Sequence, residues 1–329
     1  MKYKNNAGEI ENSFINISKE AFDIYMLLNP KEFTSPLIVD TLFKDSLENI
    51  IKAHNQKVKI ETHVSLLNNK VSESKKVLLA FSGGLDSMYQ ALVLKEQGYE
   101  VILFHVKNIN YYTNGKELQV SEEFAKLFSL PLVIASFKQN IRSNEYKKYW
   151  KENSFKNILI YSMMVDYCIE NSISNISSGD DLRLDIKDAV VGTNIADAKQ
   201  VTLPFMNSLN YLTNIKFIPT QNTHKGIRLA KLIEYKCLDL FYSCVNPGRF
   251  NQCNHNRIQE KFSVNIEKYN CGVCRKCAFH SLLRYYYLNE DYSKEFINFC
   301  WQKISNGADY EFFKPDLPLE IKIKNLYDY

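Results

Sequence analysis

Residues 81–87 have the sequence Phe-Ser-Gly-Gly-Leu-Asp-Ser, and segments of different character flank them. Residues 76–80, Lys-Val-Leu-Leu-Ala, form a short apolar run that predicts a buried strand. Residues 88–98 have a helical pattern that ends at Gly98, a common helix terminator. A strand, a glycine turn and a helix N-terminus together favour anion binding, because backbone N–H groups can approach a phosphate and the helix end carries partial positive charge.

The motif in this loop differs from the common phosphate-binding motifs. It lacks the lysine of G-x-x-x-x-G-K-[ST], and it does not match G-x-G-x-x-G. Ser-Gly-Gly-x-Asp-Ser after a strand resembles the signature of the PP-loop ATP pyrophosphatases; a glycine turn that merely caps a helix is the alternative. The resemblance implies that the loop holds the β,γ-pyrophosphate of ATP as a leaving group, with Asp86 helping to place Mg²⁺. The loop residues concerned are Ser82, Gly83, Gly84, Leu85, Asp86 and Ser87.

The composition is that of a soluble globular protein with one large or two ordinary domains. The chain has 329 residues, of which 45% are hydrophobic and 24% charged. The net charge of +4 permits nucleic-acid binding but does not indicate it. No apolar run approaches the roughly eighteen residues that span a membrane, and the N-terminus does not resemble a secretory signal. We therefore expect a cytoplasmic protein without a membrane partner.

Strands and helices are predicted to alternate through the middle of the chain, which indicates an α/β fold with a parallel sheet and right-handed crossovers. The resemblance to PP-loop proteins also implies the type of α/β fold. It is a doubly wound parallel sheet of the PP-loop/HUP (adenine nucleotide alpha hydrolase-like) kind. Further strands are predicted at 100–106, 132–137 and 173–177, shorter ones at 202–205 and 217–219, and helices at 118–130, 157–171 and 225–238. In the helix at 118–130, Phe124, Leu127 and Phe128 are expected to face inward.

Ligands of parallel sheets bind outside the carboxyl ends of the strands. The resemblance implies that the main chain at His105 and Val106 binds adenine there, while the imidazole of His105 is interpreted as a packed side chain. Asp180 and Asp181 follow a strand end and are predicted to hold Mg²⁺ or substrate amines, with a solvated loop as the alternative. Lys156, at a helix start where a lysine is electrostatically unfavourable, is predicted to offset charge at the α-phosphate; a surface lysine is the alternative.

Cys271, Cys274 and Cys277 form a C-x2-C-x2-C pattern. Thiolates with this spacing can surround one metal ion, and a closed four-ligand zinc site is structural. Eight cysteines in a cytosolic protein favour metal binding over disulfides. Structural Zn²⁺ is therefore predicted, an iron–sulfur cluster is the second interpretation, and disulfides are the third.

The fourth zinc ligand is predicted to be Cys244, with Cys253 and His255 as alternatives. The cysteines with apolar helical surroundings are predicted to be core residues: Cys168, Cys237 and Cys300.

The loop and the cysteine pattern together resemble the 7-cyano-7-deazaguanine synthases of the queuosine pathway. Further resemblances are Ser243-Cys244, Lys156-Asn157, and Ile218-Pro219 followed by Lys225-Gly226-Ile227. The resemblance covers about residues 75–284. It implies a ligase that uses ATP, Mg²⁺ and Zn²⁺ to adenylate 7-carboxy-7-deazaguanine or a similar deazapurine-type acid, after which an amine donor displaces AMP.

The chain also departs from this family. The Tyr-Gly-Gln-Arg-His element is absent at 106–112, and the Tyr-Pro-Asp-Cys-Arg segment has no counterpart at 181–200. A diverged member of an antiviral defence module that conjugates a deazaguanine to another acceptor is therefore an alternative. A tRNA-thiolating enzyme is a further hypothesis, disfavoured because only Cys168 lies near the core. The last hypothesis is that the protein is a non-catalytic subunit that binds ATP.

Four segments are predicted along the chain. They are an N-terminal extension (1–74), the PP-loop domain (75–240), a zinc-binding segment (241–284) and a helical C-terminal extension (285–329). Within the first, a helix is expected at 39–54 and a strand at 58–64, with no chemistry. The two extensions are expected to mediate any homo-oligomer or protein partner.

Overall fold

The computed structural model describes residues 2–4, 8–11, 37–40, 60–63, 70–107, 115–139, 153–179, 210, 213–220, 223, 225–242 and 252–305. The chain divides into two units. The first consists of Met1–Phe81, Gln90–Ile109 and Pro131–Asn222, and the second of Ser82–Tyr89, Asn110–Leu130 and Thr223–Tyr329. In the parts of the chain that are described, no helix combines the length and the apolar character needed to cross a membrane.

The described strands all belong to the first unit. They are β1 (Lys2–Lys4), β2 (Gly8–Glu11), β3 (Leu37–Asp40), β4 (Ile60–His63), β5 (Lys76–Ala80), β6 (Glu100–Lys107), β7 (Leu132–Gln139), β8 (Asn175–Ser178) and β9 (Lys216–Ile218). Seven of them form one sheet in the order β1-β2-β7-β6-β5-β8-β9, and β3 pairs with β4 in a separate parallel sheet.

The described helices are distributed over both units. They are α1 (Leu85–Glu96), α2 (Lys116–Phe128), α3 (Asn153–Glu170), α4 (Lys225–Glu234), α5 (Gln252–Phe262), α6 (Arg275–Leu288) and α7 (Lys294–Ser305), with a 3₁₀ turn at Leu238–Leu240. Strands and helices alternate from β5 to β8, so the predicted α/β fold is confirmed.

The centre of the large sheet is parallel, as predicted. Strands β7, β6, β5, β8 and β9 pair in parallel. Val77, Leu78 and Leu79 of β5 are completely buried, as expected for a central strand covered on both faces. The fourth strand of this series, β8, lies beside the first, β5, so the order of the strands reverses between them. Ligands of open α/β sheets bind at such a switch point.

The described N-terminal residues agree with the prediction only in part. Strands β1 and β2 extend the sheet antiparallel to β7, with Ile10 opposite Phe137. The start of the helix predicted at 39–54 is wrong, because Val39 and Asp40 belong to β3; the rest of that helix lies outside the described residues. Strand β4 falls within the strand predicted at 58–64. The strand predicted at 202–205 also lies outside the described part.

Helix α2 has a buried face that was predicted only in part. Phe124 is completely buried, whereas Leu127 is 52% exposed, so its predicted inward orientation is wrong. The buried face is centred on Ser121, Phe124 and Ala125. At about 100° per residue, Leu127 lies on the flank of that face.

In the first unit, buried polar side chains fix the strand ends near the switch point. Gln90, on the part of α1 that belongs to this unit, donates from Nε2 to Ser177 Oγ at 2.9 Å. Ser177 in turn donates to the carbonyl oxygen of Ile218 at 2.7 Å. His105 is buried, and its Nδ1 lies 3.0 Å from the carbonyl oxygen of Phe81. Burial lowers the pKa of His105, so the imidazole is neutral.

The second unit has a core of its own, formed where α5, α6 and α7 meet. Its buried residues include Ile258, Leu282 and Phe296. A buried ion pair joins Arg284 to Glu267 at 2.7 Å. Such a pair is tolerated in a core because each charge is compensated by a close partner.

Candidate functional site

The loop formed by residues 81–87, called the glycine loop below, requires glycine at position 83. Gly83 has φ +72°, a backbone conformation that side chains disfavour. A Cβ there would also lie 2.6 Å from Cγ1 of Val120 on α2. The carbonyl oxygen of Gly83 accepts a hydrogen bond from the backbone N–H of Tyr242 at 2.7 Å. The loop is therefore held between α2 and the segment that follows the 3₁₀ turn, with its backbone close to both.

The serines of the loop stabilise the start of α1. Ser87 is buried and donates from Oγ to the carbonyl oxygen of Gly84 at 3.0 Å. Ser82 Oγ lies 3.4 Å from Ser87 Oγ. Ser82 is exposed, so its hydroxyl is the more accessible of the two to a ligand.

Asp86, in the first turn of α1, contacts two cations of α4. Its Oδ1 accepts from Lys225 Nζ at 2.5 Å and from Arg228 NH1 at 2.6 Å. Arg228 is completely buried and also donates from Nε to Thr223 Oγ1 at 3.3 Å. Burial by itself would raise the pKa of Asp86, but the two positive charges outweigh it and hold that pKa well below its ordinary value of 3.8.

The two cations make the loop electrically positive. Two positive side chains surround one carboxylate, and the N-terminus of α1 adds its partial positive charge. A polyphosphate at this loop would therefore meet favourable charge from backbone and side chains alike. Lys225 was singled out only through a family resemblance, and Arg228 was missed. The sequence does carry a signal for this pair of cations. They are three residues apart on a predicted helix, so both lie on one face of it.

His280 on α6 is a buried neutral histidine that the sequence did not single out. Its ring lies 5.0 Å from that of Phe241 in an edge-on arrangement. Burial lowers its pKa to about 3, and the charges of Lys225 and Lys276 act in the same direction. Within the described part of the chain, its Nδ1 has no hydrogen-bond partner.

Cys271, Cys274 and Cys277 come together as predicted. Their sulfur atoms all lie within 4.8 Å of one another, and they are the one such group of potential metal ligands among the residues described. Cys277 Sγ lies 3.8 Å from Cys271 Sγ and 3.3 Å from Cys274 Sγ. A tetrahedral zinc site with Zn–S bonds of about 2.3 Å has sulfurs about 3.8 Å apart. The three thiols therefore fit one face of a metal-binding tetrahedron.

The local sequence explains why these thiols converge. Gly272 has φ +70°, and a Cβ there would lie 2.3 Å from Cδ1 of Ile266, so the turn requires glycine. Cys274 is the N-cap of α6, and Cys277 lies in its first turn. The partial positive charge of the helix N-terminus favours thiolates at both positions.

Helix α2 contacts both the glycine loop and the segment before the cysteines. Val120, which lies against Gly83, and Glu123 are about one turn apart on this helix. Glu123 accepts from Tyr269 Oη at 2.5 Å and from Lys268 Nζ at 3.1 Å. These contacts lie within the second unit, where they connect the glycine loop to the cysteine segment through one helix.

Several predicted site residues cannot be placed. Asp180, Asp181 and Cys244 lie outside the described residues. Lys156 is on α3, but its side chain is not among those described. The same holds for the alternative metal ligands Cys253 and His255, which are on α5. Their predicted roles therefore remain predictions.

The three remaining described cysteines are core residues, as predicted. Cys168, Cys237 and Cys300 are buried. Burial raises the pKa of the Cys168 thiol far above its ordinary range, and it raises the pKa of Cys237 and Cys300 to about 12. None of these three thiols is activated as a nucleophile.

Comparison with known proteins identifies the domain around the loop. A family model described as the tRNA methyl transferase HUP domain matches residues 75–161. The 7-cyano-7-deazaguanine synthase 2 of Sulfurisphaera tokodaii is 37% identical over 70 residues, which are 21% of this chain and 14% of that protein. The tRNA-specific 2-thiouridylase MnmA 2 of Aliarcobacter butzleri is 28% identical over 85 residues, which are 26% of this chain and 22% of that protein.

A solved structure gives a weaker match. The U34-tRNA thiolase NcsA from Methanococcus maripaludis, with its 4Fe-4S cluster, has a TM-score of 0.34 and 17% identity over 67% of this chain and 74% of that one. The matched segments span only 22% and 14% of the two sequence relatives, so the similarity concerns one domain. Residues 75–161 therefore match a HUP domain, and the described strands and helices of this segment have an α/β order.

Proposed function

We propose that this protein cleaves ATP between the α- and β-phosphates to adenylate a carboxylate or amide oxygen of a small deazapurine-type acid. The substrate oxygen attacks the α-phosphorus, the bond to the bridging oxygen of the β-phosphate breaks, and pyrophosphate leaves. An amine then attacks the activated carbon and displaces AMP. The observation that carries this proposal is the lysine-free glycine loop, whose Asp86 is held by Lys225 and Arg228.

The loop residues would act on the leaving group. Backbone N–H groups around Gly83 and Gly84, the hydroxyls of Ser82 and Ser87, and the N-terminus of α1 would bind the β,γ-pyrophosphate. Lys225 and Arg228 would offset the negative charge that develops as the bond to the α-phosphorus breaks. In the mechanism we propose, Lys156 assists at the α-phosphate, the main chain at His105 and Val106 binds adenine, and Asp180 and Asp181 contact the substrate.

The contacts with the two cations also bear on which oxygen of Asp86 is available to bind Mg²⁺. Lys225 and Arg228 both contact the same carboxylate oxygen, Oδ1. The side chain of Asp86 is 35% exposed, so Oδ2 is the oxygen that we propose for Mg²⁺ bound to the polyphosphate. Oxygen ligands of this kind suit Mg²⁺.

A metal at the cysteines would have a structural role in this scheme. Cys271, Cys274 and Cys277 would supply three thiolates, and we retain Cys244 as the proposed fourth ligand. A site closed by four cysteines leaves no coordination position for chemistry, so zinc there would fix the turn that begins α6.

The substrate class is tested by mass spectrometry of the products. The purified protein is incubated with ATP, Mg²⁺, an ammonium salt and 7-carboxy-7-deazaguanine. We expect AMP together with an amide or nitrile of the deazaguanine, and neither in the Asp86→Ala variant. AMP formed without any change in the acid would reject this acid as the substrate, while ATP binding without AMP from any acid tested would favour the non-catalytic subunit.

A second candidate function is tRNA thiolation, which is favoured by the match to a tRNA-specific 2-thiouridylase. Cys168 is poorly suited to carry sulfur, because burial raises its pKa. In this scheme the sulfur carrier or cluster would have to be at Cys271, Cys274 and Cys277. The test is to incubate the protein with tRNA, ATP and sulfide and to measure thiolated nucleosides. Their formation, and its loss in Cys277→Ser, would replace the first proposal.

A further inference from the structure

Gly226 lies on α4 beside Lys225 and two residues before Arg228. It is buried, and α4 packs against α6 in the same unit. Glycine is a poor helix residue, because it loses more backbone freedom on folding than alanine does. Gly226 is the second residue of α4, and the packing around it accounts for the absence of a side chain there.

Tyr287 on α6 provides that explanation. A Cβ at position 226 would lie 2.3 Å from Cγ of Tyr287, 2.5 Å from Cδ1 and 2.7 Å from Cδ2. These atoms form the base of the ring, next to the backbone of α6, so a change in the ring's tilt cannot move them far. Any side chain at 226 must therefore push α4 and α6 apart or distort Tyr287.

The distances to Asp86 leave little room for such a displacement. Lys225 and Arg228 contact Asp86 Oδ1 at 2.5 and 2.6 Å. Hydrogen bonds weaken beyond about 3.2 Å, so a shift of about 1 Å would break both contacts. Arg228 is completely buried and has little space in which to adapt.

We propose that Gly226 and Tyr287 are positioning residues, whose close contact sets the depth of α4 so that Lys225 and Arg228 both reach Asp86 and the glycine loop. This inference rests on the proposed ATP cleavage. Because Gly226 has no side chain, the ring of Tyr287 occupies the space where one would lie. The backbone of α4 can therefore approach α6 beside the two cations. The ring itself takes no part in the chemistry.

The proposal is tested by size complementation. Gly226→Ala should lower the rate of AMP formation about 100-fold, the loss expected when reacting groups are misplaced by about 1 Å. Adding Tyr287→Ala should return the rate to that of Tyr287→Ala alone, because alanine has no γ atom. Tyr287→Leu should not restore it, because leucine keeps Cγ. Gly226→Ala combined with Tyr286→Ala is the matched control and should stay as slow as Gly226→Ala.

Each outcome decides the proposal. Gly226→Ala with the wild-type rate, or a Gly226→Ala/Tyr287→Ala protein no faster than Gly226→Ala, would overturn it. If Gly226→Ala does not fold, a folded and active double variant supports the proposal, and an inactive one overturns it.

A second readout separates this inference from the proposed function. If the wild type forms no AMP, the proposed function fails, but the packing can still be measured by urea unfolding. Asp86→Asn should then destabilise the wild type clearly more than it destabilises Gly226→Ala, because the alanine has already broken the contacts to Lys225 and Arg228. Equal effects in the two backgrounds would overturn the positioning role.

Discussion

Asp86 determines the charge balance at the glycine loop, because it is the described carboxylate that both Lys225 and Arg228 contact. Its removal leaves the completely buried guanidinium of Arg228 without that charge. Breaking a buried ion pair costs about 3–5 kcal/mol. Because the Asp86 side chain is 35% exposed, solvent screening lowers the expected loss for Asp86→Asn to about 2 kcal/mol. Urea unfolding at pH 7 measures this loss.

The matched control is Glu234→Gln, which removes an exposed partner of Lys231 on the same helix and should cost no more than about 0.5 kcal/mol.

The pH dependence of the stability contributed by Asp86 has a definite sign. The pKa of Asp86 is lowered in the folded state, so its contribution is present above the ordinary value of 3.8 and is lost as the pH falls below it. The difference in stability between wild type and Asp86→Asn should therefore shrink as the pH falls from about 4 toward the lowered pKa. A difference independent of pH would contradict the pairing.

Gly83 and Gly98 have similar φ angles but different surroundings. Comparing their alanine variants therefore separates the cost of backbone strain from the cost of steric contact. Gly98 has φ +81°, and a Cβ there would meet no atom within 4 Å, whereas Gly83 has φ +72° and lies against Val120. Gly98→Ala should destabilise the fold by about 1 kcal/mol through strain alone. Gly83→Ala should cost about 2 kcal/mol more through overpacking and should abolish AMP formation.

Adding Val120→Ala to Gly83→Ala removes the atoms that the new methyl group meets most closely, so it should recover part of the lost stability. Thermal unfolding of the wild type and these variants measures the differences. Equal losses in Gly83→Ala and Gly98→Ala would show that the contact with α2 contributes nothing.

Among the elements, the turn at Cys271 and the start of α6 together form the proposed metal site. Its three thiols are buried within 4.8 Å of one another. Cys274→Ser should lose the bound metal and lower the unfolding temperature, because a structural metal contributes directly to folding. Cys300→Ala, which changes a buried core thiol on α7, should keep the metal.

Elemental analysis and the absorption spectrum of the purified proteins test this prediction. Zinc without visible absorption fits the structural site, while iron with visible absorption points to a cluster. Stoichiometric metal retained in Cys274→Ser would contradict the assignment of this ligand.

At the scale of the whole molecule, the features that could be predicted from sequence are those with local causes. The apolar run of β5, the glycine turn and the spacing of Cys271, Cys274 and Cys277 each follow from neighbouring residues. The parallel order followed from strand–helix alternation. Strands β1 and β2 could not be predicted, because each is short and β2 depends on pairing with the distant strand β7.

The pairing of Asp86 with Arg228 was missed for the same reason. The two residues are 142 positions apart, and no local pattern links a carboxylate at one helix start to a guanidinium on another. The contact of Gly226 with Tyr287 is also nonlocal, although a glycine inside a helical pattern is a signal of close packing. The substrate is the feature least accessible from the sequence, because the matched segment covers only 14% of the deazaguanine synthase.

The most direct test of the proposed function is to identify the products that this protein forms from ATP. Wild type, Lys225→Met and Asp86→Ala are incubated with Mg-ATP and 7-carboxy-7-deazaguanine, and the nucleotide and phosphate products are quantified. We predict AMP and pyrophosphate in equal amounts from the wild type, with the rate at least about 100-fold lower in both variants. Formation of ADP and inorganic phosphate, or equal AMP formation by all three proteins, would contradict the proposed role of the glycine loop.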